Sequence, residues 1–380
     1  MTASRPLGLG SPLLLPLLDD IRARRSDFHQ IGHIPNDIVE IFQHLGLYRA
    51  FVPEQFGGGA MTPMEFLRVV ELISAADGSA GWVASFGFAS KYLSSLPEET
   101  LDELYKATPD VVFAGAVFPP QLAIPENKGY RISGRWGFGS GCMGASLIGV
   151  GIRIEGESGG LPRMAILPRT QVNIEDNWDT IGMFATGSHD LVVDDVFVSE
   201  NRTLIRGAPP SIDTPAYRYP TMAMAAQVLA IVGAGIAREA IDEIVSLANR
   251  KKSITGAPSM SERPAFQTAL AQMEAQLCSA RAWFYEETEC MWERVLRGDH
   301  ISPGNIAALR ITSTHIAKVG ADVARRAFEM SGTSGIFNSH PLSRLLLDGL
   351  VVAQHAFLND GTWQSGGAVL LGQTPPPGYP

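Results

Sequence analysis

Along its 380 residues the sequence changes pattern twice, which restricts the folds open to it. Apolar residues recur at helical spacing from residue 11 to about residue 108, and again after about residue 215. Between about 110 and 205, glycine is dense, and turn clusters separate short runs of β-branched and aromatic residues. The sequence therefore predicts helices, then a β region, then helices.

The two changes also predict the architecture. Short strand-like runs at 111–113, 130–132, 147–154, 164–167 and 191–198 are typical of a small antiparallel barrel or sandwich. Four later helical blocks with short connections, 218–250, 262–297, 303–332 and 341–371, favour an up-down four-helix bundle. We expect an α+β multidomain protein with an N-terminal helical domain (1–109), a central antiparallel β-barrel (110–212) and a C-terminal four-helix bundle (213–380).

Composition excludes several classes of protein. Hydrophobic residues make up 45% and charged residues 18% of the chain, which excludes a disordered or fibrous protein. A net charge of −9 without a long basic run argues against a nucleic-acid partner. The three cysteines lie far apart with no CxxC pair, which argues against a disulfide scaffold and favours a reducing cytoplasm.

The longest apolar stretch, residues 222–237, contains Gln227 and two glycines and is shorter than the ~20 residues that span a membrane. It predicts a buried helix in a cytoplasmic protein with no membrane partner. His29 and His33 are four residues apart, but no further ligand stands beside them, so no metal site is expected.

Residues 139–144 (GSGCMG) match the dinucleotide-binding pattern GxGxxG. That motif requires a helix directly after it, whereas residues 145–154 alternate like a strand. A Rossmann site is therefore not expected. A glycine-rich turn beside a barrel would still let the backbone approach a planar ligand closely.

The last predicted helix is apolar almost all round from 342 to 358, so it should be buried. Five polar side chains nevertheless fall on one face of it: Arg344, Asp348, His355, Asn359 and Thr362. Arg344 and Asp348 are spaced to pair with each other. His355 can transfer a proton near neutral pH, which makes it the candidate catalytic residue.

Five motifs from all three regions occur together: residues 52–58 (VPEQFGG), 77–82 (DGSAGW), 134–141 (GRWGFGSG), 186–190 (TGSHD), and 341–344 (PLSR) with Asp348 and His355. In this combination, residues 15–372 resemble the acyl-CoA dehydrogenase fold. Within it they resemble the two-component flavin-dependent monooxygenases, such as the oxygenase components of 4-hydroxyphenylacetate hydroxylase and the indole-oxidising enzymes.

The resemblance implies an oxygenase component that receives reduced FMN or FAD from a separate NAD(P)H:flavin reductase. The flavin would react with O₂ to a C4a-hydroperoxide and hydroxylate a small aromatic substrate. The resemblance also implies a homotetramer.

The resemblance assigns residues to this chemistry. Ser140 would hydrogen-bond flavin N5, and His355 would be the acid/base beside the substrate. The expected cofactor contacts are Trp82, Trp136, Phe138, Ser140, Gly141, Thr186, Gly187 and Ser188, with Arg263 reaching the flavin phosphate, often across a subunit interface.

The substrate prediction depends on residues 86–92 (FGFASKY). Phenol hydroxylases of this family often have a histidine there, and this chain has none. We therefore expect a less acidic ring, with an indole such as indole-3-acetate as the leading candidate. Phe88 would be a stacking wall, and Ser90, Lys91 and Asn359 would be polar contacts.

Two catalytic alternatives stay open, besides a non-catalytic flavin-binding or assembly protein. A true acyl-CoA dehydrogenase needs a carboxylate base, and residues 359–362 (NDGT) offer Asp360, whose side chain is one methylene shorter than the usual glutamate. A phenol hydroxylase of the same fold is the other alternative.

Overall fold

The three regions follow one another in the order that the sequence predicts. The computed structural model of the protein describes residues 7–156, 163–250 and 258–375. Helices precede residue 106, strands occupy 113–205, and helices return from residue 215. The domain boundaries at 109 and 212 stay a prediction.

The α-helices of the N-terminal region, within the residues that the structure describes, are α1 (Leu14–Ile31), α2 (Asn36–His44), α3 (Pro63–Ala76), α4 (Gly78–Ser85), α5 (Ser90–Leu93) and α6 (Glu98–Tyr105). A capping box between Thr62 and Glu65 starts α3. Helix α4 is buried along its whole length and packs against α3. A Cβ atom on Gly81 would lie 1.9 Å from Ser74 Oγ, so only glycine permits this close packing.

In the central region, the strands outside the undescribed residues 157–162 form one seven-stranded sheet: β1 (Phe113–Glu126), β2 (Gly129–Trp136), β3 (Leu147–Ile154), β4 (Arg163–Pro168), β5 (Asn173–Glu175), β6 (Asp190–Ser199) and β7 (Thr203–Ile205). Their order is β5-β6-β2-β1-β3-β4-β7. Strands β1 and β3 pair in parallel, with Phe113 opposite Leu147, while the other pairs are antiparallel.

The predicted antiparallel barrel is therefore wrong, because the sheet is mixed and is not closed. Strand β2 forms a hairpin with β1, and the chain then crosses to the far side of β1 before β3 begins. Strand β3 therefore runs in the same direction as β1 and pairs with it in parallel.

The C-terminal helical domain contains α7 (Pro215–Arg218), α8 (Thr221–Arg250), α9 (Pro264–Arg297), α10 (Pro303–Ser331), α11 (Pro341–Ala353) and α12 (Asp360–Leu370). Helix α8 packs against α3, α10 and α11. It is long and apolar enough to cross a membrane, but 83% of its most apolar window is buried inside the protein. The prediction that residues 222–237 form a core helix is confirmed.

The predicted last helix, 341–371, is interrupted. Helix α11 ends at Ala353, and His355 has an extended backbone (φ −60°, ψ 141°). A short turn, Ala356–Leu358, follows before Asn359 caps α12. The five polar residues therefore do not share one helix face.

The expected pairing of Arg344 with Asp348 is also wrong. Asp348 Oδ1 instead accepts a hydrogen bond of 2.5 Å from the backbone N–H of Met183. Within the described residues, no ion pair joins Arg344 to Asp348. Asp348 thus links α11 to the loop that precedes β6.

Candidate active site

A cavity of about 300 Å³ lies where α4, the sheet and the α11–α12 connection meet. This is at the small end of the range for ligand pockets. Its walls are mostly apolar and many of them are aromatic, and apart from Tyr and Trp side chains its polar groups are few: Ser140, Thr186, Ser188, Arg206, Gln354 and His355.

His355 contributes an imidazole to this cavity in a defined protonation state. Its Nδ1 accepts a hydrogen bond of 3.2 Å from the backbone N–H of Phe357, so the proton of the neutral ring is on Nε2. Burial, together with the charges of Arg206 and Arg310, lowers the pKa of His355 to about 4. At neutral pH, His355 is therefore an uncharged donor.

A row of three hydroxyl groups forms the polar wall. Ser140 Oγ lies 2.6 Å from Ser188 Oγ, which lies 2.7 Å from Thr186 Oγ1. Thr186 in turn donates its proton to the carbonyl of Met183, at 2.8 Å.

The direction of these hydrogen bonds follows from counting protons. Each hydroxyl has one proton to donate. Because the Thr186 proton goes to a carbonyl, Ser188 must donate to Thr186, and Ser140 must donate to Ser188. Ser140 thus presents oxygen lone pairs, and no proton, to the cavity.

Two loops hold this row in place. The Gly139 N–H donates to His189 O at 3.0 Å, and the Gly141 N–H donates to Thr186 O at 2.9 Å. A Cβ on Gly139 would lie 2.8 Å from His189 O, and Gly141 adopts a left-handed backbone (φ 71°). The glycines of the GxGxxG match therefore permit loop-to-loop contact. A short turn and strand β3 follow them, as expected for a site that is not a Rossmann motif.

Phe138 and Trp178 form an exposed wall of the cavity. Phe138 is 72% exposed, and its ring meets Trp178 edge-on with centroids 5.8 Å apart. The backbone N–H groups of Asn177 and Trp178 both donate to Nδ1 of buried His189, at 3.1 Å. Burial lowers the pKa of His189, which keeps that nitrogen an acceptor.

Comparison with known proteins identifies the family. Residues 18–99 match the acyl-CoA dehydrogenase N-terminal domain, and residues 227–360 match the acyl-CoA dehydrogenase C-terminal domain. Over 371 residues the chain is 50% identical to an indole-3-acetate monooxygenase of Pseudomonas putida, covering 97% of this chain and 95% of the relative. It is 45% identical to an indole-3-acetate monooxygenase of Acinetobacter baumannii, covering 94% and 92%.

The chain belongs to the acyl-CoA dehydrogenase-fold, flavin-dependent monooxygenases.

More distant relatives support the same family assignment. An FADH₂-dependent resorcinol hydroxylase, oxygenase component, of a Rhizobium species is 27% identical over 94% of this chain and 91% of its own. The fold matches the HsaA monooxygenase of Mycobacterium tuberculosis with a TM-score of 0.88, at 23% identity, over 96% and 97% of the two chains. It also matches XiaF of a Streptomyces species, solved in complex with FADH₂, with a TM-score of 0.87, at 20% identity, over 96% of each chain. Homologous oxygenase components thus use reduced flavin, and the resemblance inferred from the motifs is confirmed.

The structure of the monooxygenase brings many of the predicted site residues together. The residues of that set that line the cavity are Trp82, Phe88, Phe138, Ser140, Thr186, Ser188 and His355. Gly141 and Gly187 do not line it. Both have left-handed backbones, φ 71° and 53°, that shape the two loops carrying the hydroxyl row.

Several other predicted contacts lie away from the cavity. Trp136 is a fully buried core residue whose Nε1–H donates to Gly151 O at 2.7 Å. Arg263 is exposed at the start of α9, and its Nε donates to Pro258 O at 3.2 Å.

The predicted polar contacts to substrate also lie elsewhere. The buried Lys91 ammonium donates to the carbonyls of Ala216 and Tyr219, and burial lowers its pKa to about 7. Ser90 is buried outside the cavity lining. Exposed Asn359 caps α12 by accepting from the Gly361 N–H at 3.0 Å.

Asp360, the base of the dehydrogenase alternative, has a side chain that is 90% exposed and lies 3.5 Å from Lys318 Nζ. It does not line the cavity.

Trp178, Arg206 and Phe357 are among the cavity residues that sequence reasoning missed. Arg206 directly follows β7. The sequence signal that could have indicated it is a single cation directly after a short apolar strand. Trp178 and Phe357 lie in irregular segments, where no periodicity shows which way a side chain points.

Proposed function

We propose that this chain is the oxygenase component that hydroxylates indole-3-acetate, using O₂ and reduced flavin from a separate NAD(P)H:flavin reductase. The observation that carries the proposal is the 50% identity, over 97% of the chain, to an indole-3-acetate monooxygenase. Agreement over this length includes all three regions that build the cavity.

The cavity residues fit a reduced flavin. A flavin ring system is flat and apolar on its faces, and the aromatic rings of Trp82, Phe138 and Trp178 offer matching surfaces. N5 of reduced flavin carries a hydrogen, and the Ser140 lone pairs provide an acceptor for it. When bound, reduced flavin supplies activated oxygen from O₂ for transfer to an electron-rich ring carbon.

His355 would donate a hydrogen bond to the oxygen that is transferred. The ring is neutral and carries its proton on Nε2, because Nδ1 is occupied by the Phe357 N–H. A neutral imidazole donates a hydrogen bond without giving up its proton, because its anion is far too basic to form at neutral pH. We propose that Nε2–H of His355 orients the transferred oxygen and that the ring stays neutral throughout.

The apolar walls would exclude water. Phe88, Phe113 and Met164 are each at most 4% exposed and line the cavity. Water at this site would divert activated oxygen to peroxide release.

The substrate would be an indole that contacts Phe88 and Tyr92. These rings meet edge-on with centroids 4.8 Å apart, and both line the cavity. Because residues 86–92 contain no histidine, no imidazole there would receive a phenol proton, which favours indole over phenol.

We further propose that the long C-terminal helices form a four-helix bundle through which the chain assembles as a cytoplasmic homotetramer. Exposed Arg263 would then reach flavin phosphate of a neighbouring subunit. Light scattering tests the assembly, and a stable monomer would contradict it.

A substrate panel tests the function. Phenols, indole-3-acetate, indole and acyl-CoA thioesters are incubated with the protein, a generic flavin reductase and NADH, and products are followed by mass. We expect an added oxygen on indole-3-acetate. Oxidation of an acyl-CoA thioester instead would support the dehydrogenase alternative.

A further inference from the structure

Arg206 places a charged side chain in the cavity, and no carboxylate is among the described residues that line it. Its neighbours in sequence are neutralised: Arg202 pairs with Glu103 at 2.9 Å and Arg218 with Asp213 at 2.6 Å. Within the described residues, no carboxylate lies at ion-pair distance from Arg206. Its guanidinium instead stacks on aromatic rings, with Cζ 5.1 Å from the centroid of Phe357 and 5.8 Å from that of Tyr92.

A second guanidinium lies against the same ring. Arg310 is 4% exposed, its Cζ lies 5.3 Å from the Phe357 centroid, and its Nη2 donates to Phe357 O at 3.5 Å. Arg206 and Arg310 thus share the ring of Phe357, and both place positive charge near His355. Arg206, a cation at an apolar cavity with no carboxylate among the described residues that line it, attracts an anion, because the low dielectric screens its charge little.

We infer that Arg206 is the specificity-determining residue of the cavity, binding the carboxylate of an aromatic acid whose ring lies against Phe88 and Tyr92. This assignment rests on the proposed function. It identifies Arg206 as the residue that distinguishes indole-3-acetate, which has a carboxylate, from indole, which has none. The planar guanidinium suits a carboxylate because it offers two parallel N–H donors. The rings of Phe357 and Tyr92 lie against this guanidinium, and Arg310 adds positive potential at the same Phe357 ring.

An anionic group at Arg206 has a second conceivable source, the phosphate of the flavin. Both are oxyanions that a guanidinium binds, so the test must separate them. A substrate carboxylate is replaced in indole-3-acetamide, a neutral compound of nearly the same shape. The flavin phosphate is absent from riboflavin.

The test measures ligand affinity of the reduced-flavin enzyme without oxygen, by anaerobic calorimetry. The variants are Arg206→Gln, Arg206→Lys, which keeps the charge without the planar fork, and Arg202→Gln as a matched control just before β7. In Arg206→Gln we expect the Kd for indole-3-acetate to rise about 10- to 100-fold, the loss of charge-assisted hydrogen bonds. The Kd for indole-3-acetamide should be unchanged, Arg206→Lys should recover part of the loss, and Arg202→Gln should show none.

Two results would overturn the inference. Equal losses for acid and amide in Arg206→Gln would show that Arg206 only shapes the cavity. A loss of FMN affinity without a loss of riboflavin affinity would assign Arg206 to the flavin phosphate. The proposed function fails differently: the wild-type enzyme would bind the acid through Arg206 but form no oxygenated product from it.

Discussion

The imidazole of His355 meets the indole ring of Trp82 edge-on, with centroids 5.6 Å apart and planes inclined at 62°. Trp82 lies in buried α4, and His355 lies at the break between α11 and α12. The N-terminal and C-terminal helical regions therefore touch through the two side chains on which the proposed chemistry depends.

Replacement of His355 by asparagine tests the Nε2–H donor while it keeps the acceptor for the Phe357 N–H. Asparagine can accept the Phe357 N–H as Asn359 accepts the Gly361 N–H, but its shorter side chain cannot place an N–H donor where Nε2 lies. We expect an intact fold, and a fall in hydroxylation of about 10²- to 10³-fold, as for loss of one hydrogen-bond donor to a reacting oxygen. Product and H₂O₂ are measured together, and H₂O₂ should take the place of product.

His340→Asn is the matched control. His340 Nδ1 caps α11 by accepting the Leu342 N–H at 3.3 Å, the same contact that His355 makes, but His340 does not line the cavity. Coupling should survive in this variant. Unchanged product yield in His355→Asn would remove the role assigned to His355.

The pH dependence should lack a step near pH 6.5, the ordinary pKa of histidine. Burial, Arg206 and Arg310 lower the pKa of His355 to about 4, so hydroxylation should fall only as the pH approaches that value. The folded pKa is below the unfolded one, so this group contributes stability above pH 6.5 that is lost as the pH falls towards 4. Titration of the imidazole by NMR measures the pKa, and Arg206→Gln should raise it. A pKa near 6.5 in the wild-type protein would contradict the electrostatic account.

Asp348 should destabilise the protein at high pH. Burial and the nearby Asp77 charge raise its pKa to about 7 from 3.8. Because the folded pKa is raised, stability decreases as the pH rises from 3.8 to 7. We expect Asp348→Asn, which keeps an acceptor for Met183 N–H, to stabilise the protein at pH 8 by about 1–3 kcal/mol and little at pH 5. Denaturant unfolding at both pH values checks this, and equal destabilisation at both would contradict it.

Ser188→Ala should change which flavin state binds better. Without Ser188, the Ser140 hydroxyl loses its acceptor and can donate into the cavity. Oxidised flavin offers an acceptor at N5, so we expect its affinity relative to reduced flavin to rise roughly tenfold, about one hydrogen bond. Anaerobic titrations with both states measure the ratio. Exposed Ser146→Ala, outside the cavity lining, is the control, and an unchanged ratio in Ser188→Ala would refute the hydroxyl-row argument.

Asp360→Asn tests the dehydrogenase alternative. Since the Asp360 side chain is 90% exposed and faces Lys318, we expect hydroxylation to be unchanged and stability to change by at most about 0.5 kcal/mol. Product yield and the denaturation midpoint measure the two effects. Loss of turnover would show that this carboxylate takes part in the reaction.

The sequence predicted those features that follow from local pattern. Helix α8 was predicted because it is apolar on every side, and His355, Trp82 and Ser140 stand in short motifs. The parallel pairing of β1 with β3 was missed because a strand's spacing does not determine its neighbour. The break after Ala353 was missed because neither proline nor glycine marks it.

The errors in the predicted set of site residues arise because the sequence does not show which way a side chain points. Lys91 was expected at the substrate, but its long side chain reaches two carbonyls near α7. Arg206 was overlooked because a single cation after a strand usually faces solvent. Its place over Phe357 and Tyr92 depends on contacts between distant parts of the chain.

The most direct measurement is the origin of the oxygen in the product. Wild-type protein, a flavin reductase, NADH and indole-3-acetate are incubated under ¹⁸O₂ in ordinary water. The molecular mass of the product is then measured by mass spectrometry. The account predicts one ¹⁸O atom in each hydroxylated indole-3-acetate. Product carrying oxygen from water, or oxidation of indole-3-acetate without any new oxygen, would contradict it.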